Sequence, residues 1–281
     1  IKEISTGTGF TSIGLFKGVF DGDNHWIKNL YINSNSSFKG MFSAVSTEAT
    51  IKNLKISGDI STKASYCGGI AGTTRLGKNN NGKIENCHNY CNISANSYTG
   101  GILGYNQHDF EFVNCSNHGI LNNYTNTYTG GIVANTDGLN TIISGCVNYA
   151  DIEKGSGIAG NIKGKMFNCY NIGNTKQGLV GANQGKIYNS YSVGISDTIV
   201  HNNMYNNSYI YKTIGIENKT SRLIWNGDAN KDEFTVIAES EKLKSNEYLE
   251  LLNSCNVSEY SNYWKRDTNG TNNGYPILNW Q

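Results

Sequence analysis

Proline and charge are both scarce in this chain. Of its 281 residues only one is proline, Pro276, and 16% are charged, whereas an ordinary soluble domain has roughly 25%. The 23 basic and 22 acidic side chains nearly cancel. A net charge of +1 favours neither a nucleic-acid partner nor an acidic membrane surface. No apolar run approaches the ~18 residues of a membrane-spanning helix, so no membrane insertion is expected in this segment.

A signal peptide is also missing, and the first residue is isoleucine. We therefore expect the chain to be a mature segment trimmed from a longer protein. Glycine (33 residues) and tyrosine (18 residues) are abundant, and asparagine is more frequent than either. An aromatic content of 11% excludes a disordered polar tract, which would lack aromatic side chains.

A block of residues recurs along the chain. Its first half is a small-residue motif, present as Gly40-Met41-Phe42-Ser43, Gly69-Ile70-Ala71-Gly72, Gly101-Ile102-Leu103-Gly104, Gly131-Ile132-Val133-Ala134, Gly157-Ile158-Ala159-Gly160 and Gly178-Leu179-Val180-Gly181. Its second half opens with an apolar column, Ile27, Ile51, Ile84, Phe112, Ile143, Met166 and Ile187. Two residues on stands a corner column, Asn29, Asn53, Asn86, Asn114, Gly145, Asn168 and Asn189, and after it a third column, Leu30, Leu54, Cys87, Cys115, Cys146, Cys169 and Ser190. Seven copies in register indicate an internal repeat.

The length of the repeat predicts its shape. The spacing shortens to 21 residues between Met166 and Ile187, and no helical period runs through the block. Twenty-one residues suffice for one coil of three short strands, each stacked on its counterpart in the next coil. We therefore expect an all-β fold, a right-handed parallel β-helix or solenoid. Corner asparagines should adopt the left-handed backbone conformation, as Gly145 can, and their amides could hydrogen-bond along the axis.

The motifs resemble those of the GLUG-motif repeat family. Gly178-Leu179-Val180-Gly181 has that family's pattern and leads into Asn183-Gln184-Gly185-Lys186-Ile187. The resemblance covers nearly the whole chain and is strongest over residues 16–198. It implies a secreted or surface-attached bacterial protein, because members include adhesin-like proteins and the non-catalytic region of IgA-specific metallopeptidases. It does not imply an enzyme.

The repeat lapses near residue 198. We expect coils over residues 1–198 and, over residues 199–281, an irregular C-terminal cap that packs on the solenoid within the same domain. The pattern of residues 239–252 predicts one short amphipathic helix in the cap. Its apolar side comprises Leu243, Tyr248, Leu251 and Leu252. A cap is needed because the end of a solenoid exposes strand edges and apolar core.

Seven cysteines in a chain expected to be secreted raise the question of disulfides. Four of them occupy one repeat column, where a thiol serves as a small apolar group, so we expect a reduced, buried ladder. The state of Cys67, Cys87 and Cys91 stays open, since Cys87 could pair with either of the others.

Metal sites are weakly indicated. Cys87, His88 and Cys91 form a cluster, but no second pair stands at zinc-site spacing and no H-E-x-x-H motif occurs. Asp228, Asn230, Asp232 and Glu239 match the spacing of oxygen ligands in a calcium loop. The glycine usual at its sixth position is replaced by Glu233, and a solvated turn before the cap helix is the alternative.

Catalytic groups do not form a recognisable set. Carbohydrate-cleaving enzymes need two or three acidic groups on one face, whereas the acidic residues of the repeats are scattered: Asp59, Asp109, Glu111, Asp137, Asp151 and Glu153. The five histidines are scattered as well. We therefore expect no catalytic activity.

A column of tyrosines is the best candidate for ligand binding. Tyr66, Tyr98 and Tyr128 each precede the small-residue motif by two or three residues, so they should stack on successive coils. Tyrosine combines apolar area with a polar tip and could contact sugar rings or a protein surface. The alternative is that these rings only pad a corner of the coil.

These expectations favour a non-enzymatic function. We expect an extracellular bacterial surface module, an adhesin or rigid binding scaffold whose partner is a host glycan or an extracellular protein. The alternatives are a polysaccharide lyase or glycoside hydrolase on a β-helix, aided by calcium, and a non-catalytic spacer of a larger surface peptidase.

Overall fold

A computed structural model describes residues 9–125, 127–203, 208–226, 231, 233, 235–255 and 257–281. The first fifteen strands are β1 Ile13–Phe16, β2 Val19–Asp21, β3 Trp26–Ser34, β4 Phe42–Ser46, β5 Thr50–Thr62, β6 Ser65–Gly68, β7 Ala71–Arg75, β8 Lys83–Ala95, β9 Ser97–Gly100, β10 Leu103–Asn106, β11 Glu111–Val113, β12 Ser116–Asn117, β13 Leu121–Asn123, β14 Thr129–Gly130 and β15 Val133–Thr136. The remaining strands are β16 Ile142–Ser144, β17 Val147–Asn148, β18 Ala159–Ile162, β19 Lys165–Phe167, β20 Tyr170–Asn171, β21 Val180–Asn183, β22 Lys186–Tyr188, β23 Tyr191–Ser192, β24 Ser196–Asn203, β25 Tyr209–Tyr211, β26 Ile214–Ile216, β27 Thr220–Asn226, β28 Val236–Ala238, β29 Trp264–Lys265 and β30 Ile277–Leu278. The helices are α1 Ser240–Leu243 and α2 Asn246–Asn253, followed by a 3₁₀ turn at Ser258–Tyr260.

Parallel pairing organises these strands. One sheet has nine strands in the order β1-β4-β7-β10-β15-β18-β21-β24-β27, and a second sheet has sixteen. A third, separate sheet has three strands, in the order β14-β9-β6. Strands that follow one another along the chain mostly lie in different sheets, and each pairs with its counterpart one repeat later. The fold is therefore mostly β, with parallel sheets and few helices, as the sequence predicts.

The apolar column is confirmed over most of its length. Strand pairing aligns Ile51, Ile84, Phe112, Ile143, Met166 and Ile187 in the second sheet, and these six side chains are buried. The first member is wrong, because Phe20 pairs with Ile51, whereas Ile27 pairs with Ile56. A turn after β2, with positive φ at Asp23 and Asn24, places the corner earlier in the first copy than in the others.

The corner column adopts the left-handed conformation as predicted. The values of φ are 54° at Asn53, 50° at Asn86, 52° at Asn114 and 63° at Gly145. Asparagine and glycine adopt this conformation at the lowest cost. Asn86 Nδ2 also donates to Asn53 Oδ1 at 2.8 Å, so the first corner amides pair along the axis.

A second and longer asparagine ladder lies in the interior, three residues after the corner. Strand pairing aligns Asn89, Asn117, Asn148 and Asn171, and all four side chains are 0% exposed. Each amide donates to the carbonyl oxygen of the next, over 2.8, 2.9 and 2.8 Å. Each also donates to the backbone carbonyl two residues ahead, at 2.7–3.1 Å. These four buried amides are thereby satisfied.

This interior ladder explains the glycines of the small-residue motif. A Cβ on Gly101 would lie 2.6 Å from Asn117 Oδ1 and 2.0 Å from the carbonyl oxygen of Gly131. A Cβ on Gly131 would meet the Asn148 amide at 2.7 Å. Only glycine leaves room for the amide ladder and the next coil together.

The cysteine column is a reduced ladder, as predicted. Cys87, Cys115, Cys146 and Cys169 are buried and have free thiols, and burial raises the pKa of Cys115 and Cys146 well above the ordinary value. Cys67 and Cys91 are also buried with free thiols, which settles the pairing that the sequence left open.

Coil pairing continues past residue 198. Val200 pairs with Val180 in the first sheet, and Ile210 pairs with Ile187 in the second. Parallel pairing extends to β28. The expected helix is present as α1 and α2, with Leu243 and Leu252 buried.

The rest of the C-terminal region packs along the side of the coils. Trp264 Nε1 donates to Asn168 Oδ1 at 3.0 Å, and Asn189 Nδ2 donates to the Leu252 carbonyl at 2.8 Å. Corner asparagines therefore anchor the covering segment as well as turning the chain.

Candidate functional site

The tyrosines predicted to stack do so, and a phenylalanine extends their column. The ring centroids of Phe38 and Tyr66 lie 5.0 Å apart, those of Tyr66 and Tyr98 4.8 Å apart, and those of Tyr98 and Tyr128 5.9 Å apart. All four side chains are partly buried. We name these four residues the aromatic column. Phe38 escaped the sequence analysis, although it stands two residues before Gly40 as Tyr98 stands before Gly100 and Tyr66 before Gly68.

Three members of the aromatic column have an unfavourable backbone. The values of φ are 61° at Phe38, 67° at Tyr66 and 53° at Tyr98. Bulky side chains rarely adopt this conformation, which costs about 1–3 kcal/mol for each residue. The corner column shows that this chain elsewhere places asparagine or glycine in the same conformation. At these three positions it places aromatic rings that stack on one another.

A network of charged and polar groups borders the column. The Tyr105 ring lies 5.3 Å from that of Tyr66, and the Tyr105 hydroxyl donates to Asp137. Lys163 forms an ion pair with Asp137 at 2.7 Å. Burial raises the pKa of Asp137, but hydrogen bonds from Lys163 and Tyr105 outweigh it and hold the pKa below its usual range. At the other end the Arg75 guanidinium lies 4.9 Å from the Phe38 ring centroid.

The ring geometry favours one class of partner. Phe38, Tyr66 and Tyr98 face one another, with interplanar angles of 7° and 29°, so their faces are largely occupied by neighbouring rings. A partner would meet ring edges and hydroxyl groups. Such a surface suits the mixed apolar and polar contacts of a protein interface better than the face-on stacking of sugar rings.

Two of the acidic residues of the repeats, Asp109 and Asp151, hydrogen-bond to the following repeat. Asp109 accepts from the backbone and side-chain nitrogens of Asn140 at 2.9 and 2.8 Å. Asp151 accepts from the Asn174 backbone at 2.7 Å. These carboxylates cap turns in the next coil, which is a structural role.

The calcium candidates fall largely outside the described residues, which do not include Asp228, Asn230 and Asp232. Glu239 is described, and its carboxylate lies 3.8 Å from Lys242 Nζ. In the described part of the chain, no group of three or more His, Cys, Asp or Glu side chains is arranged to hold a metal ion. The described helices are too short or too polar to cross a membrane.

A chain of hydrogen bonds that the sequence analysis missed lies on the outer face of the second sheet. Asn86 Oδ1 lies 3.1 Å from His88 Nε2, His88 Nδ1 lies 2.8 Å from Ser116 Oγ, and Ser116 Oγ lies 3.0 Å from His118 Nε2. The repeat register could have predicted that His88 and Ser116 lie side by side, because each follows a cysteine of the third column.

Burial keeps these imidazoles neutral. It lowers the pKa of His88 to about 4, helped by the charge of Lys55. Burial likewise lowers the pKa of His118 to about 4, helped by His88. The two rings therefore remain uncharged hydrogen-bonding groups at neutral pH.

This geometry predicts a pH dependence of stability. The folded pKa of His88 and His118 lies below the ordinary value of 6.5, so between these values the unfolded chain binds protons that the folded chain does not. The contribution of these two neutral histidines to the free energy of unfolding should be fully present above about pH 6.5. It should decrease as the pH falls to about 4. The measurement is denaturant unfolding across this pH range. In His88→Gln, the slope of the free energy of unfolding against pH should decrease by the equivalent of about one bound proton. The control is His25→Gln, because His25 is exposed. If the two variants show the same dependence of unfolding free energy on pH, the assignment is wrong.

Comparisons with known proteins give few matches. No family model matches the chain. No curated protein matches it either. Among solved structures, the crystal structure of a proposed immunoglobulin A1 protease from Bacteroides ovatus is similar over 93% of this chain and 77% of that one, with 19% sequence identity and a TM-score of 0.47.

Proposed function

We propose that this chain is a right-handed parallel β-helix that serves as a non-enzymatic extracellular module of a bacterial surface protein. Its partner on the aromatic column is an extracellular protein, which the exposed ring edges favour, and a host glycan is the alternative. The parallel pairing of successive coils supports the solenoid, and parallel crossover connections are right-handed in nearly all proteins. The GLUG-like motifs support the surface location.

The observation that carries the proposal is the strained aromatic column. Phe38, Tyr66 and Tyr98 each occupy a left-handed position, although asparagine would fit there without strain. Costly backbone conformations cluster at functional sites. Rings fixed in a row by a rigid sheet also lose little conformational freedom when a partner binds.

The enzyme alternative has less support. Asp109 and Asp151 are engaged in contacts between coils, and Asp137 is paired with Lys163. The spacer alternative remains compatible with the same fold and differs in one result, because a pure spacer needs no partner on the aromatic column.

Replacing Tyr98 with asparagine should separate binding from stability. Asparagine relieves the backbone strain but loses the ring contacts, which are worth about 0.5–1.5 kcal/mol, so the free energy of unfolding should stay within about 1 kcal/mol of the parent. Affinity for the partner should fall at least tenfold. The measurement is chemical unfolding, together with surface binding against a panel of purified host glycans, mucins and matrix proteins.

Two further variants complete the design. Tyr98→Ala keeps the strain and loses the ring, so it should be less stable than Tyr98→Asn and equally defective in binding. Tyr124→Ala removes a tyrosine that is 65% exposed and outside the column, and should bind as the parent does. If Tyr98→Asn retains full affinity for its partner, the aromatic column is not the binding site.

A further inference from the structure

One outer column of the second sheet changes character along the axis. It is formed by the residues that follow the third column, and strand pairing aligns Lys55, His88, Ser116, Val147, Tyr170, Tyr191 and Ile214. Its first three rows are polar, and the rest are apolar or aromatic. The column therefore offers hydrogen-bonding groups in its first three rows and apolar area in the others.

The C-terminal segment covers the apolar rows. The Trp264 ring lies 5.8 Å from that of Tyr170 and 5.2 Å from that of Tyr191, and the Tyr191 hydroxyl donates to the carbonyl of Pro276. Trp280 Nε1 donates to the carbonyl of Gly145 at 2.9 Å. The last residues of the segment reach the polar rows, where the Trp280 ring lies 5.6 Å from that of His88. His88 and Ser116 are buried there, whereas Lys55 is partly exposed.

An open cleft of about 440 Å³ results. Its lining comprises Asn24, Lys55, Asn86, His88, Tyr90, Ser116, His118, Tyr149, Thr271, Trp280 and Gln281. This volume lies within the range of small-molecule sites, roughly 300–1,000 Å³, and exceeds what a bare anion would fill. The amides and hydroxyls of the lining suit the hydroxyl groups of a sugar ring.

Lys55 gives the cleft its charge. Lys55 Nζ lies 6.0 Å from the Trp26 ring centroid. The lining contains no acidic side chain, and within the described part of the chain Lys55 Nζ has no ion-pair partner. By contrast, Lys52 on the same strand pairs with Asp21 at 3.2 Å. An ammonium group without an ion-pair partner, in a cleft without acidic side chains, favours an anionic ligand.

The histidines leave one acceptor free for a ligand. Asn86 Nδ2 donates to Asn53 Oδ1 at 2.8 Å, so Asn86 Oδ1 is left to accept from His88 Nε2. His88 Nδ1 then accepts from Ser116 Oγ, which accepts from His118 Nε2. His118 Nδ1 remains as an acceptor with no partner among the described residues, and a ligand hydroxyl can donate to it.

We propose that this cleft binds an acidic sugar residue, with its anionic group on Lys55 and a hydroxyl on His118 Nδ1. The Trp280 ring, 5.6 Å from that of His88, forms the wall on the side of the C-terminal segment. This site is separate from the aromatic column and would make the glycan partner, where one exists, an acidic one.

Galacturonate and galactose are suitable probes, because they differ only in the carboxylate. Calorimetric titration of the full chain should give saturable binding of galacturonate and at least tenfold weaker binding of galactose and of inorganic sulfate. Lys55→Gln should weaken galacturonate binding at least tenfold, Lys55→Arg should retain most of it, and the control Lys52→Gln should retain all of it.

Equal affinity for galacturonate and galactose, tighter binding of sulfate, or unchanged binding in Lys55→Gln would each overturn the proposal. So would the absence of galacturonate binding. The test is independent of the aromatic column, since Tyr98→Asn should bind galacturonate as the parent does.

Discussion

Aspartate in place of Ile84 or Ile187 should unfold the coils. Both side chains are 0% exposed and lie in the apolar column, between the rungs on either side. A carboxylate there would be buried without a partner, which costs several kcal/mol. We expect a loss of about 4 kcal/mol or more in the free energy of unfolding, or failure to fold, measured by thermal and urea denaturation.

Lys165→Asp provides the matched control. Lys165 precedes Met166 of the same column, and its side chain is exposed, so the same new charge should change stability by less than about 1 kcal/mol. If Ile84→Asp and Ile187→Asp both melt with the parent protein, the register of the apolar column is wrong.

Alanine in place of Asn117 should be the second most damaging change. The Asn117 amide donates to Asn148 Oδ1 and to the Gly119 carbonyl, and it accepts from Asn89 Nδ2. Its loss leaves these buried groups without that partner, at about 1–3 kcal/mol for each unsatisfied group. We expect a loss of about 3 kcal/mol or more, measured by urea denaturation.

Asn122→Ala is the comparison for this variant. Asn122 lies in the same coil, but its side chain is exposed and makes one long hydrogen bond, to Ser94 at 3.3 Å. It should lose about 0.5 kcal/mol or less. Equal losses in the two variants would show that the interior ladder does not stabilise the fold.

The sequence predicts much of this fold because each coil repeats the same positions. Asn53, Asn86 and Asn114 could be assigned to a corner, since Gly145 replaces them and glycine shares their tolerance of positive φ. The buried ladder from Asn89 to Asn171 could not be assigned. Asparagine is abundant throughout the chain, and its preference for surfaces hides an interior role that only coil pairing shows.

The candidate sites divide in the same way. The aromatic column was predictable, because Tyr66 and Tyr98 hold fixed places before a glycine motif. The cleft was not, since Trp280 and Gln281 approach His88 only after the C-terminal segment folds back along the coils. Repeat register predicts which side chains align, but it does not predict what covers them.

The most direct test of the proposed function measures binding and turnover together. The full chain would be incubated with host glycans, mucins and matrix proteins, with and without calcium, and both bound protein and new reducing ends or unsaturated products would be followed. We predict saturable binding that is lost in Tyr98→Asn, with no product in any well. Product formation by the parent chain would contradict the proposal and identify an enzyme. The absence of both binding and product in every well would favour the spacer.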